Sequence, residues 1–221
     1  KHGYKNGDIN FTHFHQSIKK MQVLFGESMQ IILASQNQHK IEEITAMLPQ
    51  DISIIGLDSF PHIPEPPETK NTFQENAEQK ARFVHSYTGG LVVADDSGLE
   101  VLALDNRPGV FSKRYSEEGT AVANNQKLLM ELSDKPDRRA QFRCVFAIFD
   151  GNETKFVEGT CLGKIASALS GSKGFGYDPL FVPDAYPNRS MAELSMTEKN
   201  EISHRGLALQ KLLSRREELL N

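Results

Sequence analysis

An apolar run that ends in two adjacent carboxylates, Leu91-Val92-Val93-Ala94-Asp95-Asp96-Ser97-Gly98, constrains this chain more than any other stretch. A short run with β-branched residues reads as a buried strand, and Ser-Gly reads as the turn that ends it. Side chains alternate along a strand, so Asp95 and Asp96 are expected on opposite sides. One can enter a cleft while the other braces the turn. In α/β sheets ligands bind beyond strand ends, which gives the pair a functional reading. A polar turn in which Asp accepts backbone N–H groups is the other reading, and the stretch alone leaves both open.

Composition narrows the classes of function. A chain of 221 residues suits one domain with a sizeable core, and 38% hydrophobic with 24% charged residues is the balance of an ordinary soluble protein. A net charge of −4 argues against broad binding of nucleic acid or anionic membranes. No apolar run approaches the roughly 20 residues of a membrane span, and no signal-peptide core opens the chain, so the expected compartment is the cytoplasm. Cys144 and Cys161 lie in strand-like runs without metal-ligand spacing and read as buried thiols. Residues 1–28 read as an N-terminal extension without an assigned role, although Phe11, Phe14, Ile18, Met21 and Phe25 have the spacing of an amphipathic helix. The compact domain is expected over 29–221.

Along that domain, a strand at Gln30–Ala34 leads through Ser35-Gln36-Asn37-Gln38-His39-Lys40 into a helix carried by Ile41, Ile44, Met47 and Leu48. The free N–H groups of a helix start make an anion site, to which Ser35 and Asn37 add donors and Lys40 a point charge. An ordinary capped turn is the alternative. A second strand is expected at Ile52–Leu57, followed by a proline-rich loop over 61–68 carrying Glu65 and Glu68. Thr72 and Glu75 form a capping box for a helix to about Tyr87, with Phe73, Ala77, Ala81 and Val84 as its apolar stripe. Lys80 falls only about 20° from Phe73, so it either snorkels out or points into a polar cleft.

Further on, Thr120–Leu132 reads as a helix on Val122, Leu128, Leu129 and Leu132. Strands at Phe142–Phe149 and Lys155–Leu162 flank the hairpin signal Asp150-Gly151-Asn152-Glu153. The stretch 171–179 offers Phe175, Tyr177 and Asp178 on a glycine-rich loop, either as a ligand-facing segment or as a tight structural turn. Ser195 and Glu198 form another capping box, opening a helix with Lys199, Ile202, Gly206, Leu209 and Leu213 along one stripe. His204 and Arg205 fall within or beside its first turns, near a favourable place for an anion; a hydrogen-bonded core histidine and a surface charge are the other reading.

Six motifs in order resemble the inosine/xanthosine triphosphate pyrophosphatase family: Ser35-x-Asn37-x-x-Lys40, Thr72-Phe73-x-Glu75-Asn76-Ala77, Ala94-Asp95-Asp96-Ser97-Gly98-Leu99, Pro108-Gly109-Val110-Phe111-Ser112-x-Arg114-Tyr115, Gly174-Phe175-Gly176-Tyr177-Asp178-Pro179 and Ser203-His204-Arg205-Gly206. Lys113 stands where the family often has a small residue. The resemblance implies a two-lobed α/β fold with a mixed twisted sheet and a deep central cleft, a homodimer, and Mg²⁺. It implies hydrolysis of non-standard purine nucleoside triphosphates (ITP, dITP, XTP) to the monophosphate and pyrophosphate.

By the same resemblance Asp96 is the proton acceptor with Asp95 close by, and Glu68 and Asp96 hold the metal. Substrate contacts are implied from Ser35, Asn37, Lys40, Lys80, Ser97, Phe175, Gly176, Tyr177, Asp178, Lys199, His204 and Arg205. Maf-type nucleotide pyrophosphatases are similar in fold and reaction, but their opening motif is typically rich in Ser, Pro and Arg. A non-catalytic nucleotide- or RNA-binding module would not need Glu68 and the Asp95-Asp96 pair in one cleft.

Overall fold

A computed structural model describes residues 29–220 of the chain; the helical spacing at 11–25 lies outside the described residues. Seven strands form one mixed sheet in the order β2-β1-β3-β5-β6-β7, with the short β4 (Arg107–Pro108) paired to β3. β1 (Met29–Leu33) is parallel to β2 (Ile52–Gly56) and to β3 (Val92–Val101). β3, β5 (Arg139–Phe149), β6 (Thr154–Ile165) and β7 (Phe181–Pro183) are antiparallel. The architecture is the mixed α/β one expected. No helix among the described residues is long and apolar enough to cross a membrane.

Alternation along β3 sorts the core. On one face Val92 and Ala94 pack beneath α2 (Phe73–Thr88) through its small stripe residues Ala77 and Ala81, with Val84 alongside. On the other, Val93, Cys144, Phe146 and Ile148 meet α5 (His204–Ser214) at Ala208, Leu209 and Leu212. Farther along that same face a separate cluster gathers Leu99, Val101 and Phe142 against Tyr177, Leu180 and Phe181. Asp95 and Ser97 stand between these two clusters on β3. Where the apolar packing is interrupted, the fold parts into two lobes and a cleft of about 510 Å³ opens.

Four sequence expectations are corrected. Ser97-Gly98 does not end the strand, because β3 stays paired with β5 from Val92↔Phe149 to Val101↔Ala140. Gly98 serves close approach instead of a turn. A side chain there would run into the Gly109 carbonyl and lie 2.5 Å from Ser112 Oγ. Ser112 uses that proximity: its Oγ accepts the Leu99 N–H at 2.9 Å and donates to the Gly109 carbonyl at 2.6 Å.

Second, the helix after Thr120 (α3, Ala121–Glu131) turns Val122 outward, 67% exposed, and buries Asn124 and Asn125 in its place. Third, the C-terminal helix is two helices, α4 (Met196–Ile202) and α5, broken at Ser203. Ser203 is extended (φ −68°, ψ 151°) and caps α5 by accepting the Gly206 N–H at 3.0 Å. Gly206 permits the break, since a Cβ there would strike the Asn200 carbonyl. Fourth, the strand expected to reach Leu57 stops at Gly56, and Leu57 opens a 3₁₀ turn. Both cysteines are free and buried, as expected.

Gly98→Ala is expected to cost about 1–3 kcal/mol by overpacking, read as a lowered melting temperature. An unchanged melting temperature would show that the Gly109–Ser112 turn is not seated on β3.

Candidate active site

Every site candidate named from the sequence lines the one cleft. At one end, Ser35 Oγ accepts the Asn37 N–H at 3.2 Å, and Asn37 caps α1 (Gln38–Thr45) by accepting the Lys40 N–H at 3.4 Å. These two bonds leave the first turn of α1 facing the cleft with Lys40 on it. Lys40 Nζ lies 2.8 Å from Asp95 Oδ2.

Lys80, which its helical angle places within an apolar stripe, is 5% exposed and points into the cleft. It pairs with Glu68 at 2.5 Å and with Asp96 at 3.3 Å. Glu68 arrives on the proline-rich loop, which Asn76 ties to α2 by accepting the Lys70 N–H at 2.8 Å and donating to its carbonyl at 3.3 Å. Arg114, a contact the sequence reading did not single out, donates to the Glu68 carbonyl at 3.1 Å.

The two adjacent aspartates differ in environment, as alternation requires. Burial pushes the Asp95 carboxyl up, but Lys40, Arg205 and Lys80 outweigh it and hold the group well below the usual carboxylate range. Burial also raises Asp96, where Lys80 and Lys40 are opposed by Glu68 and Asp95, and its net shift is upward. For Glu68, burial is overcome by Lys80, and its carboxyl is lowered.

Asp96 Oδ2 is buried without a hydrogen-bond partner among the described residues. No three His, Cys, Asp or Glu residues gather as a self-sufficient metal cage among them. An unspent carboxylate oxygen on Asp96, with Glu68 across the same lysine, fits a cation that takes one or two carboxylates and fills its sphere from phosphate and water.

At the other end, Arg205 is 2% exposed. Its Nη1 meets Glu43 at 2.5 Å, its Nη2 donates to Ser97 Oγ at 2.9 Å, and Nη2 and Nε lie 3.3 and 3.4 Å from Asp95 Oδ2. Lys199 Nζ pairs with Glu43 at 2.7 Å and Asp178 at 2.6 Å. Asp178 Oδ2 also accepts the Phe175 N–H at 2.8 Å. Of the two aromatic candidates, Tyr177 is buried in the core and donates its hydroxyl to the Ser112 carbonyl at 3.0 Å, whereas Phe175 is half-buried. His204 stacks on Phe142 at 4.8 Å, and burial with Arg205 and Lys199 nearby holds its imidazole neutral.

Glu43 was not found by sequence reasoning. Its signal is the one that exposed Lys80: at 100° per residue Glu43 falls about 40° from Met47, a carboxylate inside the buried sector of α1. Burial raises its carboxyl, Arg205 and Lys199 outweigh that, and the net direction is downward from the ordinary value. A lowered folded-state value stabilises the protein above the unfolded value and loses that stabilisation as pH falls through the folded one. Glu43→Gln is therefore expected to cost about 3 kcal/mol at pH 7, where Arg205 and Lys199 lose a buried counter-charge. The cost shrinks as the pH is taken below 4.5. Melting temperatures of both proteins across pH 3–7 check this, and parallel curves would count against it.

Residues 31–215 match the model of the Ham1 family. A protein of Nitratidesulfovibrio vulgaris named dITP/XTP pyrophosphatase is 48% identical over 195 residues, covering 83% of this chain and 93% of that protein. A Bacillus licheniformis protein of the same name is 48% identical over 189 residues, covering 83% and 95%. Among solved structures, a HAM1 protein from Coxiella burnetii is similar with a TM-score of 0.79 and 41% identity, covering 86% of this chain and 99% of its own.

Proposed function

Because the chain belongs to the Ham1 family, we propose that it hydrolyses non-standard purine nucleoside triphosphates, ITP, dITP and XTP, to the monophosphate and pyrophosphate. The observation that carries this reading is a single cleft with two chemically different ends. Lys40, Lys80, Asp96 and Glu68 form one, Lys199, Asp178 and Phe175 form the other, and Asp95 links them through Lys40 and Arg205. The names of the relatives agree with a purine nucleoside triphosphate as substrate. In this reading residues 29–221 are the catalytic domain.

At the first end the N–H groups opening α1, with Lys40 and Lys80, take the phosphate oxygens. Water adds across the α–β phosphoanhydride, and its proton goes to a carboxylate. Asp95 also keeps a bare oxygen, Oδ1, but Lys40, Arg205 and Ser97 engage its Oδ2 and the two cations hold the carboxyl well below its usual range, which makes it a poor acceptor. Asp96, whose carboxyl is shifted upward by burial and by the neighbouring Glu68 and Asp95, is the better one. Asp96 and Glu68 are the residues that would hold Mg²⁺ here, and the bound ion would supply charge neutralisation for the departing pyrophosphate. By the family's pattern the enzyme is a cytoplasmic homodimer.

At the second end the base stacks on Phe175. Hypoxanthine offers an O6 acceptor and an N1–H donor, and adenine offers the reverse. Lys199, with two of its three N–H groups on Glu43 and Asp178, keeps one for O6, and neutral His204 adds a ring nitrogen. Asp178 supplies the acceptor for N1–H. Arg205 is bound to Glu43, Asp95 and Ser97, so its part is to hold these groups in place.

Pyrophosphate release from a panel of nucleotides tests the reading: ITP, dITP and XTP are expected to outpace ATP by roughly a hundredfold or more, with GTP poor. Equal turnover of ATP and ITP would sink it. Asp178→Asn keeps an acceptor for the Phe175 N–H but can present an amide donor to the bare N1 of adenine. It is expected to lower the ITP-to-ATP ratio by about tenfold or more.

Asp96→Asn should abolish turnover without unfolding the protein; near wild-type turnover at saturating Mg²⁺ would remove Asp96 from the mechanism. Lys80→Met should both slow turnover and lower the melting temperature, because it leaves Asp96 and Glu68 without the cation between them. A stability equal to wild type would show that the pair does not depend on Lys80.

A further inference from the structure

Phe175 forms a wall shared by the cleft and a smaller side pocket of about 300 Å³. The backbone around it is fastened from several directions. Asp178 Oδ2 accepts the Phe175 N–H at 2.8 Å, the Asn125 amide donates to the Gly176 carbonyl at 2.9 Å, and the Lys173 N–H reaches the Ala192 carbonyl at 3.0 Å. None of these bonds fixes the direction of the ring. The group that lies flat on it is His39, in the first turn of α1, with ring centroids 5.2 Å apart and planes within 9°. His39 lines the side pocket and not the cleft, so it covers the face of Phe175 turned away from the substrate.

We infer that His39 is a positioning residue for the purine: stacked on the back of Phe175, it holds that ring in the plane on which the base stacks. The inference rests on the reading of the cleft given above. A half-buried ring on a loop would otherwise lose rotational freedom each time a base lands on it, and a ring already held pays less of that cost on binding. The contact also joins the helix that presents Lys40 to the loop that presents Phe175, so it sets the spacing of the two substrate subsites. Lys199 Nζ lies 5.1 Å and the Arg205 guanidinium 5.9 Å from the Phe175 centroid, so His39 is the aromatic member of the groups around the ring.

Steady-state kinetics with ITP, alongside inhibition by inorganic tripolyphosphate, test the inference. Tripolyphosphate has no base, so it reports on the phosphate end alone. His39→Ala is expected to raise KM for ITP about three- to tenfold, the range of one aromatic pair, with kcat within about twofold. His39→Phe should restore KM, and the tripolyphosphate inhibition constant should not change in either variant. An unchanged KM in His39→Ala, or a tripolyphosphate constant that weakens in step with KM, would overturn the inference. Phe175→Ala separates the two levels of the argument. If it raises KM and His39→Ala does not, His39 has no such role; if Phe175→Ala itself leaves KM unchanged, the placement of the base fails and the inference with it.

Discussion

Arg205 carries its charge inside the protein, and the cleft takes its shape from how that charge is met. Its guanidinium reaches Glu43 on α1 and both Asp95 and Ser97 on β3, from the first turn of α5. Three elements far apart in sequence are thereby fixed at one point. A buried cation is tolerable only when its donors are met, and losing one partner leaves an uncompensated charge whose cost is several times that of a surface pair. An apolar side chain here would close the gap between the two hydrophobic clusters that share this face of the sheet. The network keeps that gap polar, and the gap is one side of the cleft, which Asp96 and Lys80 line from the opposite face.

The same strand explains why two neighbouring carboxylates are not redundant. Asp95 shares a face with Val93 and Leu99, where Lys40 and Arg205 converge on its Oδ2. Asp96 shares the opposite face with Ala94 and meets Lys80 from α2. Ten residues of β3 are paired in register with β5, and a slip of one would exchange the two environments. The ladder beyond Asp96, which runs on to Val101, secures the register at the point where the chemistry needs it.

Much of this was legible in the chain, and the misses share causes. Lys80 betrayed itself because a lysine inside an apolar stripe has to be explained. Glu43 carried the same signal but sat beside the more conspicuous Lys40. Ser97-Gly98 has the grammar of a turn, yet ladder pairing overrode it, and the glycine answers to Ser112 and Gly109 on a distant segment. The break at Ser203 was hidden because both halves keep one helical stripe; only the closeness of the Asn200 carbonyl to Gly206 shows why the chain must bend. Val122 looked like core because an apolar residue at helical spacing usually is. In α3 the buried positions went to Asn124 and Asn125, whose amides hold the Ser112–Lys113 and Gly176 carbonyls. Local patterns give faces and periods, whereas contacts between distant segments decide which polar residues turn inward.

In the proposed reading, the route from base to phosphate runs through side chains already described. Lys199 and Arg205 share Glu43, Arg205 and Lys40 share Asp95, and each shared carboxylate is buried. A base that satisfies Lys199 and Asp178 leaves this chain of ion pairs intact. One that presents a donor to Lys199 leaves the third N–H of that buried ammonium unmet, beside the Glu43 carboxylate on which Arg205 also depends. Discrimination between bases would therefore reach the rate of the chemical step as well as binding, because energy gained at the remote end is what keeps the reacting end in place.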